Sequence, residues 1–332
     1  MIARVARSRR CRSILVVLPW LALAGAVLAA PPAAAQVKQR ADSTFHPVVG
    51  DPAFTTRHPK ILFDEAHHNF HTLDGRYAAF GELMRADGFE VAPNREPFRA
   101  ETLKGSDVLV IANALGGDWD SGGDSAAALP AFQPDEIEAV YRWVKDGGAL
   151  LLIADHAPFG SAAAALGERF GVQMSKGYTG DSLQAEGSVT NIAFTRERGS
   201  LGDHPILEGR NEKERVGRVI AFTGQSLLGP AGSTPFLLLS NDAFDLPLAA
   251  LQAREDPKAM MAMAQPARGR SMAVALRAGK GRVVIQGEAA MLSAQVILAP
   301  GREPFKFGMN QAGIDNQQFA LNELRWLAGA MD

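Results

Sequence analysis

Continuous runs of apolar residues alternate with helix-like segments through the first half of the chain. The apolar runs lie at 61–63, at 108–112 within an expected strand 107–112, and at 149–154. Runs without polar alternation are typical of strands that are buried on both faces of a parallel sheet. Apolar residues recur at helical spacing over 72–87 and again from Pro134. The pattern predicts an α/β fold with a mostly parallel open sheet and helices on both faces, of the flavodoxin-like type.

The rest of the pattern adds weaker elements around this frame. Residues 116–131 are rich in Gly, Asp and Ser and predict a loop long enough to be a lid. A second strand begins at Phe89, and Ser161–Phe170 predicts a short helix. Four strands are expected in the second half, at Val219–Phe222, Phe236–Leu239, Ser271–Leu276 and Arg282–Gln286. Asp315 is expected to cap a closing helix, and the methionine-rich segment 254–270 predicts a loop insertion.

Residues 1–35 have the pattern of a cleaved export signal, with the cut expected after Ala35. Five arginines precede an apolar stretch that Pro19 interrupts, and an Ala-x-Ala site follows. The stretch is shorter than the ~20 residues that a membrane span needs, so no transmembrane span is expected in the mature chain. These features predict a periplasmic or secreted protein, with the Sec and twin-arginine routes both open. Residues 36–59, broken by three prolines, predict an irregular lead-in to one domain over 60–330.

Charge and cysteine content narrow the function classes. Of the 34 basic residues, five lie in the expected signal, which leaves 29 against 36 acidic residues and a net charge of about −7. This balance argues against nucleic acid as a partner. The one cysteine, Cys11, also lies in the expected signal. The mature chain is therefore expected to have no disulfide, no thiolate metal ligand and no cysteine nucleophile.

Three consecutive features in the first half point to a known superfamily. They are Ser106-Asp-Val-Leu-Val-Ile-Ala-Asn-Ala, the helix at Pro134, and Lys145-Asp-Gly-Gly-Ala-Leu-Leu-Leu-Ile-Ala-Asp-His. Together they resemble the first half of the class I glutamine amidotransferase-like domain. In catalytic members the strand after the Gly-Gly pair delivers a cysteine nucleophile, whereas the matching position here is Asp155. The resemblance thus implies the fold and excludes glutamine hydrolysis through a thiol.

Three later motifs resemble cysteine-free branches of the same superfamily. They are Gly202-Asp-His-Pro-Ile-Leu-Glu-Gly, Gly287-Glu-Ala-Ala-Met-Leu-Ser and the segment 315–329. These branches include an exported bacterial family of unknown function, the auxiliary proteins of gliding-motility ABC transporters, and trehalose-utilisation-like proteins. The last of these is the basis for expecting a carbohydrate as one class of substrate. Function does not transfer with the fold, because one fold hosts many activities.

The segment 64–71, Asp-Glu-Ala-His-His-Asn-Phe-His, is the densest polar cluster of the chain, with three of its seven histidines. It directly follows the first predicted strand, and ligands of open α/β sheets bind beyond the carboxyl ends of the strands. Asp155, His156 and Glu288 follow two other predicted strands. We expect catalytic groups among Asp64, Glu65, His67, His68, Asp155, His156 and Glu288. Ligand-binding groups are expected among Asn69, His71, Asn310, Asp315 and Asn316, the last two at a helix N-terminus.

Each of these residues also has a structural explanation. Asp64 or His68 caps backbone groups in a solvated loop, Asp155 is satisfied by backbone N–H groups of the next helix, and Glu288 pairs with Arg282 or Lys280. A divalent metal ion is a further alternative, with His68, His156 and Asp64 as candidate ligands. The identity of any cofactor is not determined by these residues.

Two functions follow from the sequence, and both remain open at this point. The first is an enzyme, hydrolytic or driven by acid/base chemistry, acting on a small polar substrate. The second is a non-catalytic module that binds a ligand or an envelope protein within a cell-envelope assembly. A catalytic site requires the carboxylates and imidazoles to converge with shifted pKa values, whereas a binding module does not.

Overall fold

The computed structural model describes residues 38–253 and 256–332. The expected export signal, its cleavage site and Cys11 lie outside the described residues. The described residues belong to one compact unit. Within this part of the chain, no helix is both long enough and apolar enough to cross a membrane.

The strands run through the whole described chain and differ greatly in length. They are β1 Lys38–Ala41, β2 Lys60–Asp64, β3 Glu90–Asn94, β4 Val108–Ala112, β5 Ala149–Ile153, β6 Gln173–Met174, β7 Tyr178–Asp181, β8 Ala185–Glu186, β9 Ser188–Thr195, β10 Arg218–Ala221, β11 Leu227–Leu228, β12 Thr234–Leu238, β13 Ala243–Leu246, β14 Gln265–Pro266, β15 Ser271–Ala278, β16 Gly281–Gln286, β17 Ala294–Leu298 and β18 Phe305–Gly308.

The central sheet has the order β3-β2-β4-β5-β16-β15-β11-β6, and β12 pairs with β15. Its first five strands are parallel, and from β15 onward the neighbours pair antiparallel. Every residue of β4 and β5 is buried, as the continuous apolar runs predict. Three small antiparallel sheets complete the fold: β1-β17-β18, β10-β9-β8 and β14-β13-β7.

Helices cover both faces of the parallel strands. The α-helices are α1 Ala78–Ala86, α2 Ala100–Leu103, α3 Trp119–Ala127, α4 Pro134–Asp146, α5 Phe159–Arg169, α6 Pro205–Glu208, α7 Pro257–Met261 and α8 Asn316–Leu327. Helices α1 and α8 pack on one face, where Phe63, Val110 and Leu151 contribute. Helices α4 and α5 pack on the other, with Leu109 and Leu152. The predicted fold class is confirmed.

Helix α4 shows why local sequence placed this frame correctly. Pro134 occupies the first turn, and Glu136 accepts the backbone N–H of Gln133 at 3.0 Å. Gly147 ends the helix with φ of 128°, a conformation that side chains other than glycine rarely adopt. The closing helix also begins where expected, directly after Asp315.

Three elements differ from their sequence-based predictions. Helix α1 begins at Ala78 rather than at Thr72, because Thr72 carries a turn in which its carbonyl accepts the N–H groups of Gly75 and Tyr77. The predicted loop 116–131 contains helix α3, which is capped by Asp118. The predicted irregular lead-in 36–59 contains β1, which pairs with β17. Short strands of two to four residues carry too little periodicity to be recognised before their partners are known.

Candidate active site

Four polar side chains lie at the carboxyl ends of adjacent parallel strands. Asp64 ends β2, Asn113 directly follows β4, and Asp155 and Glu288 each come two residues after β5 and β16. Since these strands are neighbours in the order β2-β4-β5-β16, their ends share one edge of the sheet. The predicted convergence of the strand ends is therefore present, but the side chains divide into two groups with different environments.

The first group is a chain of two carboxylates and one imidazole, Asp64, His67 and Glu136. His67 Nδ1 lies 2.9 Å from both carboxylate oxygens of Asp64, and its Nε2 lies 2.9 Å from Glu136 Oε1. All three residues are buried, and the imidazole packs against the rings of Phe98 and Phe132. Both ring nitrogens are therefore engaged by acceptors.

The charges of this chain favour a protonated imidazole. Burial lowers the pKa of His67, but the hydrogen bonds and charges of Asp64 and Glu136 outweigh it, so the net pKa is raised. The same two hydrogen bonds use both N–H donors of an imidazolium. His67 therefore has no free nitrogen for proton transfer, and its contacts are those of a structural anchor between the loop after β2 and helix α4.

Glu65 and Asn69 extend this anchor. Glu65 accepts the N–H of Leu73 at 2.9 Å and pairs with Arg95 at 3.1 Å. Asn69 donates to Asp64 Oδ2 at 2.9 Å and accepts the N–H of His67 at 3.0 Å. Both side chains are therefore engaged within the protein, where they hold the loop after β2 in place.

The second group is a buried pair of carboxyl groups, Asp155 and Glu288. Asp155 is 8 % exposed and Glu288 is not exposed. Burial and the charge of Asp155 raise the pKa of Glu288 well above its usual range, although its oxygens accept the N–H groups of Ala290 and Met291 at 2.7 Å each. Burial raises the pKa of Asp155 more than the charge of His156 and the nearby donors lower it. This pair therefore retains a proton to higher pH than ordinary carboxyl groups.

The structural explanation for Glu288 predicted a pair with Arg282 or Lys280. Neither pair is present among the described residues. Arg282 instead donates to the carbonyl groups of Trp326 and Met331 at the other end of β16. Glu288 caps the short 3₁₀ helix Ala290–Leu292. Within the described residues, no Lys or Arg nitrogen lies within 4.0 Å of either carboxyl group.

Tyr77 and His71 lie beside the carboxyl pair. The Tyr77 hydroxyl donates to the carbonyl of Ala289 at 2.7 Å, and the charges of Glu288 and Asp155 act on it together with burial to raise its pKa. The His71 ring lies on Tyr77, with 4.7 Å between the centroids. Burial lowers the pKa of His71 to about 3, and its buried Nδ1 has no hydrogen-bond partner among the described residues. His71 is thus a neutral imidazole with an unused polar atom.

His156 is fixed by its own loop. Its Nδ1 lies 2.6 Å from the carbonyl of Ala157, and its ring stacks on Tyr178 at 4.4 Å. A carbonyl oxygen only accepts, so Nδ1 carries the hydrogen, and Nε2 is the atom that accepts in the corresponding tautomer. The backbone N–H of His156 donates to Asp155 Oδ1 at 2.7 Å. His156 is half-buried and combines a fixed tautomer with a free basic nitrogen.

Two positioning residues escaped the sequence-based prediction. Asn113 accepts the backbone N–H of Asp155 at 3.0 Å and adopts a positive φ of 52°. Gln225 donates to the carbonyl groups of Ala154 and Asp155 at 2.7 and 3.0 Å. Asn113 directly follows a predicted strand, so the rule that selected Asp155 would also have found it. Gln225 belongs to no recognisable motif, so its positioning role is apparent only from its contacts with Ala154 and Asp155.

An aromatic cover lies over this edge of the sheet. Trp119 of helix α3 contacts Phe70 and Phe159, with centroid distances of 5.4 and 5.3 Å. Phe70 is 39 % exposed, and the Arg76 guanidinium lies 4.1 Å from its ring centroid. His68, with φ of 46°, is exposed in the same loop. The predicted lid segment thus forms part of the wall of the crevice.

Three predicted ligand-binding residues have structural roles. Asn310 donates to Asp42 Oδ2 at 2.9 Å, next to the small sheet β1-β17-β18. Asp315 accepts the N–H groups of Gly217 and Arg218 at 2.7 and 2.9 Å, so it anchors β10 instead of the helix. Asn316 bonds both backbone groups of Ile220, at 3.0 and 2.9 Å. Asn316 also donates to the carbonyl of Met291 at 3.2 Å, so all three side chains are engaged by other parts of the chain.

The structure also bears on the metal hypothesis. In the described part of the chain, no three His, Cys, Asp or Glu side chains form a group that could hold a metal ion. Of the candidate ligands, Asp64 is already bonded to His67 and Asn69, His68 is exposed, and His156 is fixed on Ala157. The three candidates do not fit a common ion.

Two surface cavities lie away from the carboxyl pair. The first, of about 330 Å³, is at the amino ends of the parallel strands and includes Ser106, Gly148 and Lys280. Two of its arginines are already paired, Arg57 with Asp107 at 3.2 Å and Arg282 with Asp332 at 2.7 Å. The second, of about 500 Å³, lies beside α6 and the last residues of the chain. Neither cavity is lined by Asp155 or Glu288, so the candidate site remains at the carboxyl edge.

Comparison with known proteins shows the fold. No family model matches the sequence, and no curated protein matches it. The structure is similar to the mmIFT52 N-terminal domain, with 12 % identity, a TM-score of 0.55, and coverage of 81 % of this chain and 97 % of that one. A ThuA-like protein from Bacteroides uniformis covers 85 % of this chain and 94 % of its own at 12 % identity, with a TM-score of 0.40.

A GMP synthase-like protein from Thermoplasma acidophilum covers 82 % of this chain and 94 % of its own at 9 % identity, with a TM-score of 0.41. Likenesses at such scores support no statement about family. The strand order together with the first of these likenesses shows an open, mostly parallel α/β sheet with helices on both faces.

Proposed function

We propose that this protein is an acid/base enzyme of hydrolytic type that acts on a small polar substrate at Asp155 and Glu288. The observation that carries this proposal is the buried carboxyl pair. Its members have raised pKa values and, among the described residues, no Lys or Arg partner. Burying such a pair costs stability, and perturbed carboxyl groups of this kind cluster at functional sites.

The two carboxyl groups and His156 have different roles in the proposed reaction, because their environments differ. The Nε2 atom of His156 accepts a proton from the attacking water, and protonated Asp155 donates its proton to the leaving atom. The oxygen of water forms the new bond as the bond to the leaving group breaks, and proton return from His156 to Asp155 restores the site. Glu288 is held by two N–H groups, and burial together with the charge of Asp155 keeps its own pKa high.

The finer parts of the proposal come from the sequence. The resemblance to cysteine-free branches of the glutamine amidotransferase-like superfamily supports replacement of the thiol chemistry by Asp155. Its trehalose-utilisation-like members suggest a carbohydrate substrate. The signal-like residues 1–35 support export to the periplasm or the medium. N-terminal sequencing of the protein recovered from the periplasm tests export, with Gln36 as the expected first residue.

The cover over the site favours a second candidate, a non-catalytic module that binds a ligand or an envelope protein. Glu288 is not exposed, and Trp119 packs against Phe70 and Phe159 above this edge. A covered site retains a ligand for longer than an open one. In this second candidate, Asp155 contributes to binding and no bond is broken.

The experiment is a hydrolysis assay on nitrophenyl glycosides, esters and phosphates with matched variants. Asp155→Asn is expected to lower turnover by about 10²- to 10⁴-fold, the usual contribution of a general acid. Glu323→Gln is the control, because Glu323 is also buried with a raised pKa but lies in α8. Equal turnover in Asp155→Asn and the unmodified protein would contradict the proposal.

A second readout does not depend on the substrate. Infrared spectroscopy at neutral pH detects a protonated carboxyl group, and the band is expected to weaken in Asp155→Asn and in Glu288→Gln. Glu323 contributes its own band, so the spectra are recorded in the Glu323→Gln background. If the band is absent in that background, neither Asp155 nor Glu288 holds a proton at neutral pH, and the proposed mechanism has no general acid.

A further inference from the structure

Arg76 is a half-buried cation without an acidic partner at the edge of the candidate site. It lies in the turn that precedes α1, next to Tyr77. Its guanidinium group faces the ring of Phe70 at 4.1 Å. Within residues 38–253 and 256–332, no carboxylate oxygen lies within 4.0 Å of it. Burial lowers the pKa of Arg76, which shows that the charge is held at a cost.

The other half-buried or buried arginines in the described part of the chain are paired. Arg325 lies 2.6 Å from Asp87, Arg196 lies 2.8 Å from Glu208, and Arg282 lies 2.7 Å from Asp332. These pairs compensate the loss of hydration around each guanidinium group. Contact with an aromatic face replaces only part of that hydration, since a cation–π contact contributes about 0.5–2 kcal/mol. The donors of Arg76 are therefore available to an anion from outside the protein.

The position of Arg76 links it to the carboxyl pair. Its charge acts on His71 and contributes to keeping that imidazole neutral. His71 lies on Tyr77, whose hydroxyl contacts Ala289 beside Glu288. The cation at the surface is therefore connected to the buried acid pair through His71 and Tyr77.

The surface around Arg76 is aromatic. Phe70 contacts His71 at 5.2 Å and Trp119 at 5.4 Å between centroids. Aromatic faces accept flat or apolar ligand surfaces, while a guanidinium group binds carboxylate or phosphate oxygens through two parallel hydrogen bonds. A proton retained by Asp155 and Glu288 reduces the repulsion that an approaching anion would meet.

We propose that Arg76 binds the anionic oxygen group of the substrate, a carboxylate or a phosphate, while Phe70 and Trp119 contact the adjoining ring or apolar surface. This assignment rests on the proposed function for the site of chemistry, and it narrows the small polar substrate to an oxyanion. Arg76 is thus a specificity-determining residue, and the proposal makes no demand on the bond that is broken.

Binding of three small probes to the purified protein tests the assignment. Benzoate carries a carboxylate on a flat ring, benzamide is its neutral isostere, and phenyl phosphate carries the alternative anion. Isothermal titration is carried out on the unmodified protein and on Arg76→Gln, Arg76→Lys and Arg95→Gln. Arg95 is the matched control, because it already pairs with Glu65 at 3.1 Å and is largely exposed.

We expect at least one of the two anions to bind the unmodified protein about 10- to 100-fold more tightly than benzamide, since a charged hydrogen-bonded pair contributes about 1.5–3 kcal/mol. Arg76→Gln should lose this preference, Arg76→Lys should keep part of it, and Arg95→Gln should retain it. The stronger of benzoate and phenyl phosphate identifies the anion class. Equal binding of benzoate, phenyl phosphate and benzamide, or an unchanged preference in Arg76→Gln, would overturn the assignment.

Two controls separate this proposal from the proposed enzyme function. Asp155→Asn should still bind the preferred anion while it loses turnover. Anion selectivity without any turnover would support Arg76 as a ligand-binding residue and contradict the proposed enzyme function. Turnover without anion selectivity would support the enzyme function and contradict the role of Arg76. The comparison of the three probes on the unmodified protein remains decisive even if Arg76→Gln fails to fold.

Discussion

Two acidic clusters lie at the carboxyl edge of one sheet, and they differ in whether their buried charges have an opposite charge nearby. Asp64 and Glu136 enclose His67, so each buried charge has an opposite charge within 2.9 Å. Asp155 and Glu288 have no ion-pair partner within 4.0 Å among the described residues, and burial raises the pKa of both. The difference teaches that position at a strand end does not make an acidic residue functional. What distinguishes the second cluster is that its charges are left uncompensated.

The largest expected effect tests the compensated cluster. His67→Leu leaves Asp64 and Glu136 as buried carboxylates without a cation, so the free energy of unfolding should fall by about 3–5 kcal/mol. Urea unfolding measures this loss. His46→Leu is the control, because His46 is exposed beside Glu82 and its replacement should change stability little. A loss below that of the control would show that the first cluster is not a structural anchor.

The pH dependence of stability should reveal His71. Its pKa is about 3 in the folded protein, against a usual value near 6.5, so the unfolded chain binds more protons between these limits. Folding stability is fully present above about pH 6.5 and is lost as the pH falls toward about 3. His71→Phe should remove up to about 5 kcal/mol of this acid dependence. Parallel stability curves for the variant and the unmodified protein would contradict a neutral buried His71.

The acid pair should show the opposite trend. Because the pKa values of Asp155 and Glu288 are raised, the folded protein holds more protons than the unfolded chain above about pH 4. The stability that the pair contributes is therefore present at low pH and decreases as the pH rises. Glu288→Gln should become more stable relative to the unmodified protein as the pH increases. Chemical denaturation between pH 4 and 8 measures the difference, and a pH-independent difference would argue against a shared proton.

The smallest expected effect concerns the cover. Trp119→Ala removes an aromatic contact with Phe70 and Phe159, so stability should fall by about 1–2 kcal/mol because Trp119 is only half-buried. The variant should open the crevice and release bound ligands faster. Stopped-flow dissociation of the anion preferred in the binding test measures this rate. An unchanged rate would place the cover outside the path of the ligand.

Much of the fold was predictable because it depends on local patterns. The continuous apolar runs identified β2, β4 and β5, and the Pro134 helix was recognisable from its first turn and its terminal glycine. The edge that carries the candidate site followed from strand direction alone. By contrast, β6 to β8 and β14 are too short to show a period, and they exist because partners distant in sequence pair with them.

The candidate site was predictable in composition but not in roles. The dense cluster at 64–71 attracted attention because it is rich in acids and imidazoles, yet most of it forms the anchor. His67 could not be assigned to that role from sequence, since Glu136 lies 69 residues further along the chain. The sequence predicted His71 only as a ligand-binding group. In the structure its ring lies on Tyr77, and its Nδ1 has no hydrogen-bond partner among the described residues.

The order of residues was enough to predict the parallel strands, their direction and the residues that follow them at the carboxyl edge, because apolar periodicity and turn chemistry act over a few neighbouring residues. Which of the buried charges are compensated follows only from the folded arrangement. That outcome depends on contacts between distant segments, such as Glu136 with His67 and the absence of a cation within 4.0 Å of Asp155 among the described residues. Electrostatic free energy depends on distance and burial, and neither is encoded in the order of residues alone.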